Sequence, residues 1–313
     1  MKKQFTKFKK VLIAALVLVF AGACALVGDR VAKAAGEIGF SVSPMKQNIV
    51  LNPGDSYRGT FTVSNPATSE NDFSYLVTVT PFYVKDDAEY TAVFDEDSDR
   101  TMISKWITLV SPSEGKVAPN ESNEIEFIIN VPEDAPAGGQ YAAITVSSNN
   151  TDEAAEGSTG IREQIAIAHT IFAEIAGETV KKGEVTEVSV PSFIFSGDLT
   201  ASSKVRNTGN VHGKAVYKLQ VFPLFSSEEV FTNEEKPDEQ TILPDRTLYY
   251  ETAFKNTPSF GIYNVVYTVE FEGTKTEVKK MVIKCPIWML FSILFAIIAA
   301  IIYIGLRIKA RKR

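Results

Sequence analysis

Apolar and polar side chains alternate with a period of two through most of this chain. Phe61 and Val63 alternate with Thr60, Thr62 and Ser64, and Tyr75, Val77 and Val79 alternate with Ser74, Leu76, Thr78 and Thr80. Successive side chains of a strand point to opposite faces, so this period predicts strands with one face turned to a core. Turn formers at Asn65, Pro66 and Pro81 close both runs. The pattern returns at 124–131, 141–147 and 161–175, then stops at 176–183, where Gly177, Lys181, Lys182 and Gly183 interrupt it. A second set of strands is predicted at 185–190, 200–205, 214–222, 247–254, 263–271 and 277–283. Nothing between Gly36 and Lys284 has the 3.6-residue period of an amphipathic helix. The expected fold is therefore all-β: two tandem immunoglobulin-like β-sandwiches at 36–176 and 184–284, joined by a linker at 177–183. The acidic stretch 152–156 reads as part of a long hairpin loop within the first sandwich, because both of its flanks are strand-like.

The two ends of the chain break the alternation in a different way. Residues 285–306 carry no charge and lead directly into Arg307, Lys309, Arg311, Lys312 and Arg313. A helix of that length, at about 1.5 Å per residue, spans roughly the 30 Å of a bilayer's hydrocarbon core. The basic cluster beyond it predicts a single-pass transmembrane helix with residues 307–313 as a cytoplasmic tail and the rest of the chain outside the cell. Trp288 and Tyr303 suit the two interfacial belts of such a helix. At the N-terminus Lys2, Lys3, Lys7, Lys9 and Lys10 precede an apolar run from Val11 to Val27, and Ala32 and Ala34 then offer a small-x-small cleavage site. Residues 1–34 are read as a secretory signal peptide. Lipidation at Cys24 and retention as an uncleaved signal anchor are the alternatives, and both leave the ectodomain facing outward.

Composition adds to this picture. The 313 residues are 45% hydrophobic and 22% charged, enough apolar content for folded domains. The cysteines are Cys24, within the signal, and Cys285, at the membrane boundary. An exported ectodomain free of disulfides fits a bacterial surface better than small disulfide-stapled eukaryotic modules. A net charge of −6, despite basic residues at both termini, makes the exposed part acidic and argues against nucleic acid as a partner.

Catalytic groups are scarce. His169 and His212 are the two histidines, and no Gly-x-Ser-x-Gly elbow accompanies either. His169 shares its strand face with Ile165, Ile167, Ile171 and Ala173, which suggests a packed, hydrogen-bonded ring, whereas His212 falls in a turn and is expected to be exposed. Asp95, Asp97 and Asp99 place oxygens at alternate positions like a calcium loop, but Arg100 stands where an EF-hand needs glycine and Trp106 where it needs glutamate. A solvated acidic tip is the simpler reading, and no metal or cofactor is expected. Leu243 and Pro244 are the nearest approach to a sorting motif, yet no glycine follows Thr247 and the membrane helix lies far downstream. Aromatic anchors are the remaining candidates for recognition. Phe82 and Tyr83 are adjacent, so on a strand one of them should face outward, and Tyr249 and Tyr250 pose the same question.

The first block opens with Phe40, Ser41, Val42, Ser43 and Pro44, continues through Leu51, Asn52, Pro53, Gly54 and Asp55, and has a strand ending Val63, Ser64 and Asn65. It closes with Val131, Pro132, Ala135, Pro136, Gly138, Gly139, Gln140 and Tyr141. This run resembles the first domain of the WxL-interacting proteins, Gram-positive surface proteins with a signal peptide, two immunoglobulin-like domains, a membrane helix and a basic tail. The motifs cover about residues 38 to 176; the second block matches in position and class. The resemblance implies that the first domain binds peptidoglycan and that the second meets a secreted WxL-type surface protein. The expected function is thus non-enzymatic tethering at the cell surface, with a cell-wall polymer or a secreted protein as partner. An accessory or sensory subunit of a membrane complex is the alternative.

Overall fold

The computed structural model describes residues 39–86, 90–94, 96–149 and 165–311. The signal region, Asp95 and the acidic stretch 152–156 lie outside these residues. Up to Lys284 the described residues are all-β, with one 3-10 turn at Met102–Lys105 and an immunoglobulin-like sandwich architecture; the alternating runs form strands, and further strands such as Lys46–Leu51 and Asp238–Ile242 appear where no alternation predicts them.

The N-terminal part contains β1 (Ser41–Ser43), β2 (Lys46–Leu51), β3 (Ser56–Ser64), β4 (Phe73–Pro81), β5 (Tyr83–Val84), β6 (Ala92–Val93), β7 (Ile107–Leu109), β8 (Glu114–Val117), β9 (Ser122–Asn130), β10 (Gly138–Ser148) and β11 (Ala166–Ile175). A four-stranded sheet β1-β3-β9-β7 packs on a five-stranded sheet β2-β11-β10-β4-β8, while β5 and β6 form a separate ribbon. Between the large sheets lie Phe61, Val63, Phe127, Ile129, Ile144, Val146, Ile171 and Ile175, all buried. β10 and β11 pair antiparallel, with Ser147 opposite Ala166.

The C-terminal part contains β12 (Gly183–Ser189), β13 (Phe193–Ile194), β14 (Leu199–Asn207), β15 (Gly213–Pro223), β16 (Phe231–Thr232), β17 (Asp238–Ile242), β18 (Thr247–Phe254), β19 (Gly261–Phe271) and β20 (Thr274–Lys284). The sheet β12-β14-β18 covers a larger one ordered β13-β20-β19-β15-β16, with β17 also on β15. Leu199, Val205, Tyr217, Leu219, Tyr267, Val269 and Phe271 fill its core.

After β20 only Cys285 and Pro286 precede helix α1 (Ile287–Arg311). Proline at the helix entrance is compatible with helix geometry because the first turn's N–H groups have no intrahelical partner. Among the described residues no helix is long and apolar enough to cross a membrane. In sequence, residues 287–306 carry no charge.

Candidate functional site

His169 lies on β11 and is fully buried between the two N-terminal sheets. Its ring stacks on Phe61 at 4.8 Å, and its Nδ1 donates to the Pro44 carbonyl at 2.6 Å. Gln47 meets Nε2 at 3.2 Å. Burial lowers its pKa and holds the ring neutral. Nδ1 is hydrogen-bonded and the ring is shut away from solvent, which is the packing role its strand face suggests.

Phe82 and Tyr83 are a correction. Both are buried, although neighbours on a strand point to opposite sides. The reason is that Phe82 stands in the break between β4 and β5, so the strict alternation of a strand does not hold there and both side chains join one buried cluster. Phe82 packs on Phe94 at 5.6 Å and on Phe172 at 5.7 Å, while the Tyr83 ring lies beneath the Arg246 guanidinium at 4.6 Å. The Tyr83 hydroxyl donates to the Pro244 carbonyl at 2.6 Å, and burial pushes its pKa up to about 12. These residues belong to a third core in which Leu243, 1% exposed, enters a pocket formed by Phe82, Tyr83, Val84, Tyr141, Ala143 and Phe172. Leu243 comes from the C-terminal sandwich and the pocket from the N-terminal one. The polar contacts around this knob also cross between sandwiches. Leu243 N–H donates to the Tyr90 hydroxyl at 2.7 Å, Arg246 Nε to the Val84 carbonyl at 2.7 Å, and Thr247 N–H to Asp86 at 2.9 Å.

His212 is the second correction. The turn that carries it is not at an open surface but against the N-terminal sandwich, where the ring meets Phe172 edge-on at 5.4 Å and Tyr141 at 5.8 Å. The Tyr141 hydroxyl lies 3.4 Å from Nδ1. Desolvation first, and the nearby Lys46 charge second, push its pKa down to about 4. Lys46 itself sits over the Phe172 ring at 3.9 Å and donates to Thr241 Oγ1 at 2.8 Å, a further contact across the junction. Burial lowers its pKa too, with Lys214 as the lesser cause.

Asn210 organises the other side of the junction. Its carbonyl accepts from Gly139 N–H at 2.7 Å and from Arg100 Nη1 at 3.0 Å. Its side chain accepts from Val180 N–H at 2.7 Å and donates to the Glu178 carbonyl at 2.8 Å. The segment expected to be a linker at 177–183 is therefore tied down by hydrogen bonds. Gly138 has φ +121°, and a Cβ there would stand 2.7 Å from the Asn210 carbonyl oxygen. Of the glycine pair in the run that carries the family resemblance, Gly138 is thus required by the close approach of the second sandwich, whereas a Cβ at Gly139 would meet the Tyr141 ring of the same strand.

The acidic tip is engaged within the fold. Asp97 pairs with Lys105 at 2.8 Å, and the Asp99 carbonyl accepts from Gln140 Nε2 at 2.7 Å. Asp95 lies outside the described residues, and among the described residues no group of three or more potential ligands converges on one point. Of the second tyrosine pair, Tyr249 is 42% exposed and Tyr250 stacks on Tyr217 at 4.5 Å. Sequence reasoning missed Arg100, Asn210, Leu243 and Arg246. The signal available was a cluster of turn residues in the second block, which does not reveal a docking partner.

No protein-family model matches the chain, and no curated protein matches it. Solved structures similar to it include the CsuC–CsuE chaperone and tip-subunit complex of Acinetobacter baumannii Csu pili, at 12% identity and TM-score 0.38, covering 77% of this chain and 97% of that one. The Escherichia coli chaperone DraB matches at 13% identity and TM-score 0.36, with 77% and 96% covered. The Salmonella enterica SafA pilin with the SafB chaperone matches at 11% and 0.35, with 80% and 98% covered. At such values the likeness assigns neither a ligand nor a partner.

Proposed function

We propose that this chain is a non-enzymatic, membrane-anchored surface protein of the WxL-interacting kind. In this reading two tandem immunoglobulin-like modules stand outside the cell, α1 crosses the bilayer, and the basic tail remains in the cytoplasm. The modules hold a cell-wall polymer or a secreted surface protein. The observation that supports the reading is α1. Trp288, Phe291, Leu294, Phe295, Ile298 and Ile301 are all exposed on a helix with no charged residue until Arg307. Its one hydroxyl among the described side chains, Ser292, donates to the Trp288 carbonyl at 2.9 Å. A helix apolar on every side is at home in lipid and costly in water. The positive-inside rule orients it.

Tethering is the mechanism. The knob at Leu243 and the hydrogen bonds at Asn210 and Arg246 join the modules, and α1 confines them to the envelope, which raises the effective concentration of whatever they hold. Neither histidine is presented as a free base, and the reading asks for no chemistry. The test has two arms. Cells expressing the full chain and a chain ending at Lys284 are fractionated, and the released form is then mixed with insoluble cell wall and with secreted proteins. Retention of the full chain in membranes, release of the short form and its co-sedimentation or capture are expected. A released form that binds neither, or that hydrolyses the wall in a His169-dependent manner, overturns the tethering reading.

A further inference from the structure

We infer that the end of the C-terminal sandwich from which α1 emerges is itself a membrane-docking surface, with Phe193, Phe195, Phe225 and Phe260 seated in the interfacial layer of the outer leaflet. The inference rests on the reading of α1 as a bilayer-spanning helix. Backbone register sets these four residues at one level. Phe193 is opposite Ile283 and Ile194 opposite Lys284, so Phe195 lies just past the end of β20. Gly261 is also opposite Lys284, which puts Phe260 one residue further out. Leu224 N–H donates to the Ile262 carbonyl at 2.9 Å, and Phe225 follows it. All four therefore lie level with positions two to four residues before the start of α1, on the order of 10 Å along the strands.

Their exposure is unusual for phenylalanine. Phe225 is 96% exposed, Phe193 60%, Phe260 55% and Phe195 48%. Large aromatic side chains left open on separate segments at one end of a domain mark a contact surface. Only Cys285 and Pro286 separate β20 from α1, and Cys285 N–H donates to the Ile194 carbonyl at 2.9 Å, so this end cannot stand far from the surface that α1 enters. Trp288, 66% exposed in the first turn of α1, continues the same band. The loops also carry Asp198, Glu228 and Glu229 against Lys255. The occupant is therefore a lipid interface engaged by apolar insertion, and anionic headgroups are not required.

The experiment uses the full chain in vesicles of zwitterionic phosphatidylcholine whose acyl chains are brominated near the headgroup. In the otherwise unaltered chain Trp288 reports insertion of α1. In a chain carrying Trp288→Phe together with Phe225→Trp, the indole at the loop reports docking of the sandwich end, and Trp106 in the N-terminal sandwich is the background. Blue-shifted emission and marked loss of intensity in both proteins are expected, with little change on adding salt. Quenching of Trp288 without quenching at 225 overturns the docking surface and leaves the anchor standing. Quenching of neither removes the anchor and the docking surface together.

Discussion

At one end of the C-terminal sandwich, the turns holding Asn210, His212 and Leu243 are buried against the N-terminal sandwich. At the other end, the short strand β13 and the loops holding Phe225 and Phe260 leave Phe193, Phe225 and Phe260 open. The covered end combines one apolar knob with a ring of directional hydrogen bonds to backbone groups, such as Arg246 to Val84 and Asn210 to Gly139. That mixture fixes orientation, because a hydrogen bond is lost when its geometry shifts whereas a greasy contact tolerates sliding. The open end offers large apolar side chains without such a ring. A surface built this way suits a fluid partner that presents no fixed donors or acceptors. The same sandwich thus has a specific end and an unspecific one.

The largest expected effect comes from cutting the chain at the open end. Ending it at Lys284 should move the protein wholly from the membrane fraction to the medium, as read by immunoblot of both fractions. A truncated form that stays with membranes would show that something other than α1 anchors the chain, and the contrast between the two ends would lose its basis.

Leu243→Ala attacks the covered end. Removing a fully buried leucine from an aromatic pocket should cost about 2 to 4 kcal/mol, measured by urea unfolding of the chain ending at Lys284. A cost confined to the C-terminal sandwich, with emission from Trp106 unaffected, would mean that the modules unfold separately despite their contact.

Acid should weaken the same junction. Burial gives His212 a folded pKa of about 4, below its ordinary 6.5. Between those values the unfolded chain takes up a proton that the folded chain refuses, so stability falls as pH drops through the window from 6.5 to 4. The shift corresponds to at most about 3 kcal/mol, reduced by the partial exposure of the ring. His169, also lowered by burial, contributes in the same direction. Melting temperatures at about pH 7 and about pH 4.5 should differ less in His212→Gln than in the unaltered chain; equal differences would place the acid sensitivity elsewhere.

Smaller still is Tyr83→Phe, which leaves the ring under Arg246 and deprives the Pro244 carbonyl of its donor. A loss of about 1 kcal/mol is expected, and a double-mutant cycle with Leu243→Ala should show coupling because both changes act on one pocket. The least effect is expected from Phe225→Ser in the chain ending at Lys284. A side chain that is 96% exposed contributes little to folding, so stability should change by less than about 0.5 kcal/mol. A large loss there would make Phe225 part of the fold, not of a docking surface.

Much of the fold is legible in the alternation of side chains. The alternating runs at 58–64 and 74–80 lie within β3 and β4, and the run at 263–271 lies within β19. The apolar face to which the pattern assigns His169 is its buried face. These features depend on period alone, which determines how side chains divide between two sides of a strand. Phe82, Tyr83 and His212 depart from expectation for a different reason. Period separates the two faces but does not say whether the second face meets water or another module. Tyr141 and Phe172 lie on the outward face of β10 and β11, which would be open if the N-terminal sandwich stood alone, and they are buried because Leu243 and His212 dock there.

By itself, then, the sequence determined the alternating strands and the run without charge from Ile287 to Leu306. Local stereochemistry and hydrophobic periodicity suffice for these, since each is decided by residues near one another in the chain. Only the tertiary structure decided that Gly138 must make room for Asn210, that the segment at 177–183 is a hydrogen-bonded strap, and that four phenylalanines gather at the mouth of α1. Each of these joins residues distant in sequence and brought together by packing, and packing acts through surfaces that no local pattern encodes.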